Sequence, residues 1–349
     1  MTPGVRRAML IPVVGLLLLG LWVYFALDGS QLTELLARAR WTLVLAAVAA
    51  SLTSYLLIST ALLLIGRTMG MRRVPAGTFV SVAFVSLTLN HVVSFGVAGY
   101  SARVLLLRRG GESPGTVLAA SLLHSYLTTL GMVLLLPLGL GMLAVAAEVP
   151  PAAARALELA TVGSLLLAIA MTVALVSRRM RLGILALAGR LGRLLPGGGE
   201  GVARSLIDLD AGLVEAARVA RTRPLVALLP IALTLLDWVA VTVAFWLCLE
   251  AVGLSIPAQV VLAGFAIGMN AGVLSLVPGG VGVQEGSQAG VLALFGVPFA
   301  PALLASVLFR VVYYLVPFFV SLPLYYVVLR PMVEREEVED PALPVSATP

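Results

Sequence analysis

Lysine is missing altogether from the 349-residue sequence, cysteine occurs once (Cys248), and histidine occurs twice (His91 and His124). A single cysteine excludes an internal disulfide. One cysteine and two histidines also supply too few ligands for a Cys/His metal centre, so no metal site is expected. Charge is scarce as well: 11% of residues are charged, against roughly 25% in a soluble domain. That deficit excludes a cytosolic enzyme, a secreted enzyme behind a signal peptide, and a disordered adaptor. The sequence has no HExxH, no GxSxG and no Gly-Lys phosphate loop. The chain is therefore not read as an enzyme, and no cofactor is called for. What is abundant is apolar residue, at 60% with a mean hydropathy of +1.06. This is the composition of a multi-pass membrane protein. The net charge of +6 is carried wholly by arginine; it fits basic cytoplasmic loops and anionic headgroups, not nucleic acid.

A membrane-spanning helix needs about 20 apolar residues. Segments 9–27, 42–65, 114–136, 157–177, 224–249 and 302–329 qualify. The first follows Arg6-Arg7 and ends in Trp22-Val23-Tyr24-Phe25 with no small-residue cleavage site, so it reads as an uncleaved span. Arginine then sets direction. Arg6 and Arg7 place the N-terminus in the cytoplasm, and Arg67, Arg72 and Arg73 bring the chain back there. The next apolar stretch, 79–107, ends at Arg108-Arg109, so both its flanks are cytoplasmic. It is too short for two spans of about 20 residues. The spacing predicts a helical hairpin broken at Ser94-Phe95-Gly96-Val97-Ala98-Gly99, where glycine permits reversal. A second interrupted stretch, 258–297, has no basic flank on either side and predicts a hairpin entering from outside.

The expectation is an all-α integral membrane protein of the cytoplasmic membrane. It has six full transmembrane helices plus two oppositely oriented re-entrant helical hairpins, with both termini cytoplasmic. Opposed hairpins read as an inverted repeat, an architecture that places transport sites near the midplane. Asn90-x3-Ser94-Phe95 and Asn270-x4-Ser275-Leu276 give it slight sequence support. The transmembrane domain covers 1–333 and the acidic, disordered cytoplasmic tail 334–349. Within the domain, 137–156 reads as an outside loop. Segment 178–223, with nine arginines, reads as a cytoplasmic amphipathic segment. There Val202, Leu206, Leu209 and Leu213 share a helix face, and Arg204 can pair with Asp208 at i,i+4.

Polar residues inside apolar segments are costly and mark candidate sites. The densest group is Pro278-Gly279-Gly280-Val281-Gly282-Val283-Gln284-Glu285-Gly286. Pro278 ends one helix, and Gly279, Gly280 and Gly282 allow a tight reversal. A new helix then starts near Gly282 with its unpaired N–H groups in the membrane interior, an anion site in waiting. Glu285 lies in its first turn. Arg310 lies eight residues into the last span, about 12 Å along the helix, too deep for an interfacial anchor. Glu285 and Arg310 read either as a structural ion pair or as a headgroup site in which Arg310 meets phosphate. Tyr313 and Tyr314 add hydroxyls nearby. Asp237, mid-span, is a proton-coupling carboxylate or the counter-ion of an arginine. Asn270 precedes the second break. Arg103 closes the first hairpin as a lipid contact or as a positive-inside marker. His91 and His124 read as helix-to-helix hydrogen bonders.

Through Pro278-Gly279-Gly280-Val281-Gly282-Val283-Gln284-Glu285, followed by Arg310, the chain resembles the lysylphosphatidylglycerol synthase transmembrane, flippase-like (UPF0104) family. The resemblance covers roughly residues 5–335. The family's first-hairpin pattern is a proline, then Gly-Glu-x-x-Arg. Gly99-Tyr100-Ser101-Ala102-Arg103 keeps the glycine and arginine but has Tyr100 in place of the glutamate, with Ser94 near the expected proline. In bifunctional members this region resembles a translocator of aminoacylated phosphatidylglycerol joined to a soluble transferase. The resemblance therefore implies lipid translocation without synthesis. The expected activity is movement of a charged-headgroup lipid between leaflets, with phospholipid or isoprenoid-type headgroups as partners. A second copy of the chain and a separate lipid-modifying enzyme are further candidate partners. The alternatives are a proton- or ion-coupled transporter of a small solute, using Asp237 and Glu285, and a non-transporting membrane subunit of a lipid-modifying system.

Overall fold

A computed structural model of the chain describes residues 39–92, 97–146, 151–192, 200–275 and 277–329. The expected first span at 9–27, the residues 93–96 at the centre of the first break, Arg330 and the acidic tail lie outside the described residues. Among the described residues the secondary structure is entirely helical. The helices are α1 Trp41–Thr68, α2 Ala76–Val92, α3 Val97–Arg109, α4 Pro114–Ala146, α5 Pro151–Val176 and α6 Arg178–Gly192. They continue with α7 Glu200–Thr222, α8 Pro224–Ala251, α9 Ala258–Leu274, α10 Val283–Leu294 and α11 Phe299–Leu329. Among the described residues five helices are long and apolar enough to cross a membrane: α1, α4, α5, α8 and α11. They coincide with five of the six expected spans.

The frame is α1 packed along α8. Its one end is tied where Arg40 N–H donates to the Ala251 carbonyl at 2.9 Å and the Arg40 guanidinium reaches Glu250 Oε2 at 3.0 Å. The other end carries Arg67, which donates to the carbonyls of Met71 and Val74. Packing between these ends is aromatic, with Phe245, Phe265 and Phe309 meeting at ring-centroid distances of 5.4–6.0 Å.

Helix α11 holds two π-helical turns, Val311–Leu315 and Tyr325–Leu329. The first has a local cause. Pro317 has no N–H to give its own helix, so the Val312 carbonyl in a π register, or the Tyr313 carbonyl in an α register, loses a donor. Ser51 Oγ donates to Val312 O and Tyr55 Oη to Tyr313 O, both at 3.1 Å, so α1 supplies what the proline withholds.

Two short helix pairs fold back on themselves. In the first, Arg73 and Val74 N–H groups donate to Glu112 Oε1 at 2.7 and 3.2 Å across its mouth. Midway, Arg103 Nε donates to Ser86 Oγ at 2.6 Å, and next to the break Gly99 N–H donates to Asn90 Oδ1 at 2.8 Å. α2 and α3 are therefore antiparallel, with their mouth at the Arg67 end. In the second pair Gly264, Gly268 and Gly272 of α9 face Leu292, Gln288 and Gln284 of α10 in reverse order. Its mouth is at the Arg40 end. The hairpins thus open to opposite ends, and α2 touches the Pro278–Gly280 turn of the other. With 17, 13, 17 and 12 residues in α2, α3, α9 and α10, these helices rise about 18–26 Å. A hydrocarbon core is about 30 Å thick.

Two sequence expectations are corrected. Helix α4 does not stop before Pro137 but runs to Ala146, so most of the outside loop expected at 137–156 is helix. Proline is tolerated inside a long apolar helix when neighbours satisfy the freed backbone groups, and residues 138–142 remain apolar. Segment 178–223 is two helices, and α7 does more than present a face to lipid. Leu209 and Leu213 are buried, in a cluster that includes Val117 and Ala119 of α4. Asp208 accepts from Ser113 Oγ at 2.5 Å in place of the expected Arg204, and Arg181 pairs with Asp210 at 2.6 Å.

Candidate functional site

The glycine-rich break of the second hairpin is built by backbone that only glycine adopts without strain. Gly279, Gly280 and Gly282 have φ of +63°, +64° and +81°. A Cβ on Gly280 would also lie 3.0 Å from Gly272 Cα, so that close approach needs two glycines. The turn delivers Gly282 as the N-cap of α10. Glu285, wholly buried, folds back so that Gly282 N–H donates to its Oε2 at 2.7 Å. This supplies the carboxylate that a helix N-terminus favours.

Arg310 enters from α11 and completes a knot. Its Nε donates to Glu285 Oε1, its Nη1 to the Gly279 carbonyl at 2.8 Å, and its Nη2 to Gln284 Oε1 at 3.3 Å. Its guanidinium lies 4.7 Å from the centre of the Tyr314 ring, while Tyr314 Oη donates to Gln284 Oε1 at 3.1 Å. Gly279, Gly280, Gly282, Glu285 and Arg310 are therefore one constellation, as the sequence suggested. The anion expected at the helix N-terminus is supplied by the chain itself. Gln284 was not anticipated. Its signal was a second polar residue beside Glu285, which by itself could equally have faced solvent.

The other candidates stand apart. Asn270 Nδ2 donates to the carbonyls of Ala266 (2.8 Å) and Met132 (3.2 Å), bolting α9 to α4 rather than facing Glu285. Asp237 is buried in the α1–α8 interface and accepts from Ser54 Oγ. Among the described residues no cation pairs with it. Arg103 is 1% exposed, buried within the helices rather than on an outer face.

Around Arg103 lies a second polar cluster contributed by α1, α2, α3 and α4. Arg103 Nε uses Ser86, and its guanidinium lies 5.7 Å from the Tyr100 ring centre. Tyr100 Oη and Ser125 Oγ are hydrogen bonded. His124 Nε2 meets the Ile58 carbonyl at 3.1 Å, joining α4 to α1 as expected. Yet Arg103 Nη1, His124 Nδ1, Ser121 Oγ and Ser59 Oγ are buried with no hydrogen-bond partner among the described residues. Among the described residues no carboxylate pairs with Arg103. A buried polar group left unpaired costs about 1–3 kcal/mol, and an uncompensated charge costs more. The orphaned Arg103 Nη1, close enough to His124 for the two to interact, marks a place suited to an anionic acceptor from outside the chain, and unpaired amide atoms of Gln284 and Gln288 lie at the second hairpin.

Fold and site together define an α-helical integral membrane protein with two opposed hairpins, one carrying the buried Arg103 and the other bound by the buried Arg310 of α11. Within that class, the family model of the lysylphosphatidylglycerol synthase TM region matches residues 10–321, and the chain belongs to that family. A comparison with curated proteins finds no match. The family is a membrane region and is distinct from a soluble synthase domain.

Proposed function

We propose that this protein moves a lipid with a phosphate-bearing, charged headgroup between the leaflets of the cell membrane. The hairpins re-enter from opposite sides. The headgroup passes along the polar groups between them while the acyl chains stay in lipid. The observation that carries this reading is Arg103: a buried guanidinium with no carboxylate partner among the described residues and an unpaired Nη1, in a hairpin that touches the glycine break of the other. Arg103 would take the phosphate. The Glu285–Arg310 knot would hold the second hairpin closed, and Arg310 would exchange Glu285 for phosphate during passage. Family membership supports a role at the membrane and the absence of synthase chemistry from this region.

The test is a leaflet assay in proteoliposomes, with fluorescent phosphatidylglycerol quenched from outside by dithionite. The wild-type chain should expose inner-leaflet probe faster than protein-free vesicles, and Arg103→Gln should remove most of the difference. Equal rates with and without wild-type protein would end the proposal.

A second reading has its own observation. Asp237 is a buried carboxylate with no cation among the described residues, which suits coupling of a small solute to protons. That reading requires transport to depend on an imposed proton gradient and on Asp237, whereas lipid equilibration between leaflets requires no gradient.

A further inference from the structure

A crevice of about 800 Å³ opens at the Arg67 end, beneath the C-terminal half of α7. Its volume lies within the range of about 300–1,000 Å³ typical of small-molecule sites. Leu123 and Leu127 of α4, Leu175 of α5 and Ile231 of α8 give it apolar walls. Its rim carries Arg178, Arg181, Arg218 and Arg221, and no acidic residue lines it. Arg181 is paired with Asp210 and Arg218 with Glu215. Arg178 and Arg221 are exposed, and neither forms an ion pair among the described residues. The crevice therefore combines a hydrocarbon wall with two uncommitted positive charges. It lies at the arginine-rich end that the positive-inside rule assigns to the cytoplasm, where anionic lipids concentrate.

We infer that this crevice is a docking site for one anionic phospholipid, with an acyl chain against Leu123, Leu127, Leu175 and Ile231 and the phosphate between Arg178 and Arg221. A zwitterionic lipid offers the same chain without net negative charge. A free phosphate offers the charge without the chain. The pairing of wall and rim selects the molecule that has both. The inference goes beyond the transport reading and stands on this crevice alone, whether or not the chain moves lipid.

The experiment uses the full chain, delipidated in detergent, with thermal unfolding and native mass spectrometry as readouts. Dioleoyl phosphatidylglycerol should raise Tm saturably and leave one retained lipid, while dioleoyl phosphatidylcholine and glycerol phosphate should do neither. The double variant Arg178→Gln/Arg221→Gln, altered only at exposed positions, should keep its lipid-free Tm. It should bind phosphatidylglycerol about thirtyfold more weakly, the loss expected for two basic side chains at a membrane surface. Leu127→Trp, which fills the crevice, should abolish retention with Arg178 and Arg221 intact. Equal responses to the two lipids would overturn the inference. So would a full response to glycerol phosphate alone, or unchanged binding in the double variant.

Discussion

The two hairpins each engage a buried arginine, Arg103 of α3 and Arg310 of α11, and treat it in opposite ways. In the second, Arg310 spends its donors on Glu285, Gly279 and Gln284, and the carboxylate it meets also caps a helix. In the first, Arg103 has Ser86, the face of Tyr100 and an unpartnered Nη1. The difference traces to one position, because the residue three before Arg103 is Tyr100 where the family pattern has glutamate. A latched arginine holds structure together, whereas an unlatched one is held by structure and is free to bind. Stability and transport should therefore separate between the hairpins.

The largest effect should come from the latch. Arg310→Ala or Glu285→Ala alone strands a buried charge and should cost about 3–5 kcal/mol. Replacing both with methionine should recover most of that loss while still impairing lipid movement. Denaturation of the purified variants, set beside their leaflet assays, measures both. If the double variant stays as unstable as the single ones, the pair is not the hairpin's main closure.

Backbone packing at the two hairpins should come next. A Cβ at Gly99 would collide with the Asn90 side chain and the Ser86 carbonyl, so Gly99→Ala should destabilise by about 1–3 kcal/mol. On α10, a Cβ at Gly290 meets no atom within 4 Å. Gly290→Ala should therefore be neutral or stabilise by about 0.5–1 kcal/mol, as expected for alanine in a helix interior. Similar Tm changes for both would mean that the α2–α3 contact is not close in the membrane.

The unlatched arginine should matter little to folding and much to function. Arg103→Met gives up the Ser86 bond and removes an uncompensated charge, so stability should change by no more than about 1.5 kcal/mol in either direction. Transport of anionic lipid should fall to background. Tyr100→Glu sharpens the contrast: it offers Arg103 the carboxylate that Arg310 already has, and should raise Tm while slowing transport. A Tyr100→Glu variant that moves lipid at the wild-type rate would show that the free guanidinium is not what binds.

Much of this was legible in the sequence because its causes are local. Apolar run length located five of the described helices, arginine distribution placed the hairpin mouths at opposite ends, and glycine with proline marked the second break. The grouping of Glu285 with Arg310 followed from their depth. What escaped depended on partners distant in sequence. The orphaned atoms of Arg103 and His124 gain meaning only when α3 and α4 bring the two close enough to interact, and neither residue signals that alone. Pro137 misled for the same reason, since its helix continues with help from neighbours. Leu209 and Leu213 gave the right face of α7 but could not say whether lipid or α4 would cover it.

The smallest expected effect comes from an arginine–carboxylate pair outside the hairpins. On exposed α7, Arg218 donates to Glu215 at 2.6 and 2.7 Å, in bidentate fashion, a pairing more regular than that of Arg310. Hydrogen bonding from Arg218 holds the Glu215 carboxyl below its ordinary value of 4.5. A depressed carboxyl stabilises the fold above its unfolded value, and that contribution is lost as pH falls through the folded one. Glu215→Gln should thus differ slightly in Tm from wild type at pH 7, with the difference shrinking as pH falls below the ordinary carboxyl value of 4.5. Added salt should shrink it further at neutral pH, because water and ions screen an exposed pair. The Glu285→Gln difference should resist salt, since that carboxylate is wholly buried and bonded directly to Arg310. Equal salt sensitivity for the two variants would mean that the Glu285–Arg310 knot is open to solvent, and the contrast between latched and unlatched hairpins would lose its physical basis.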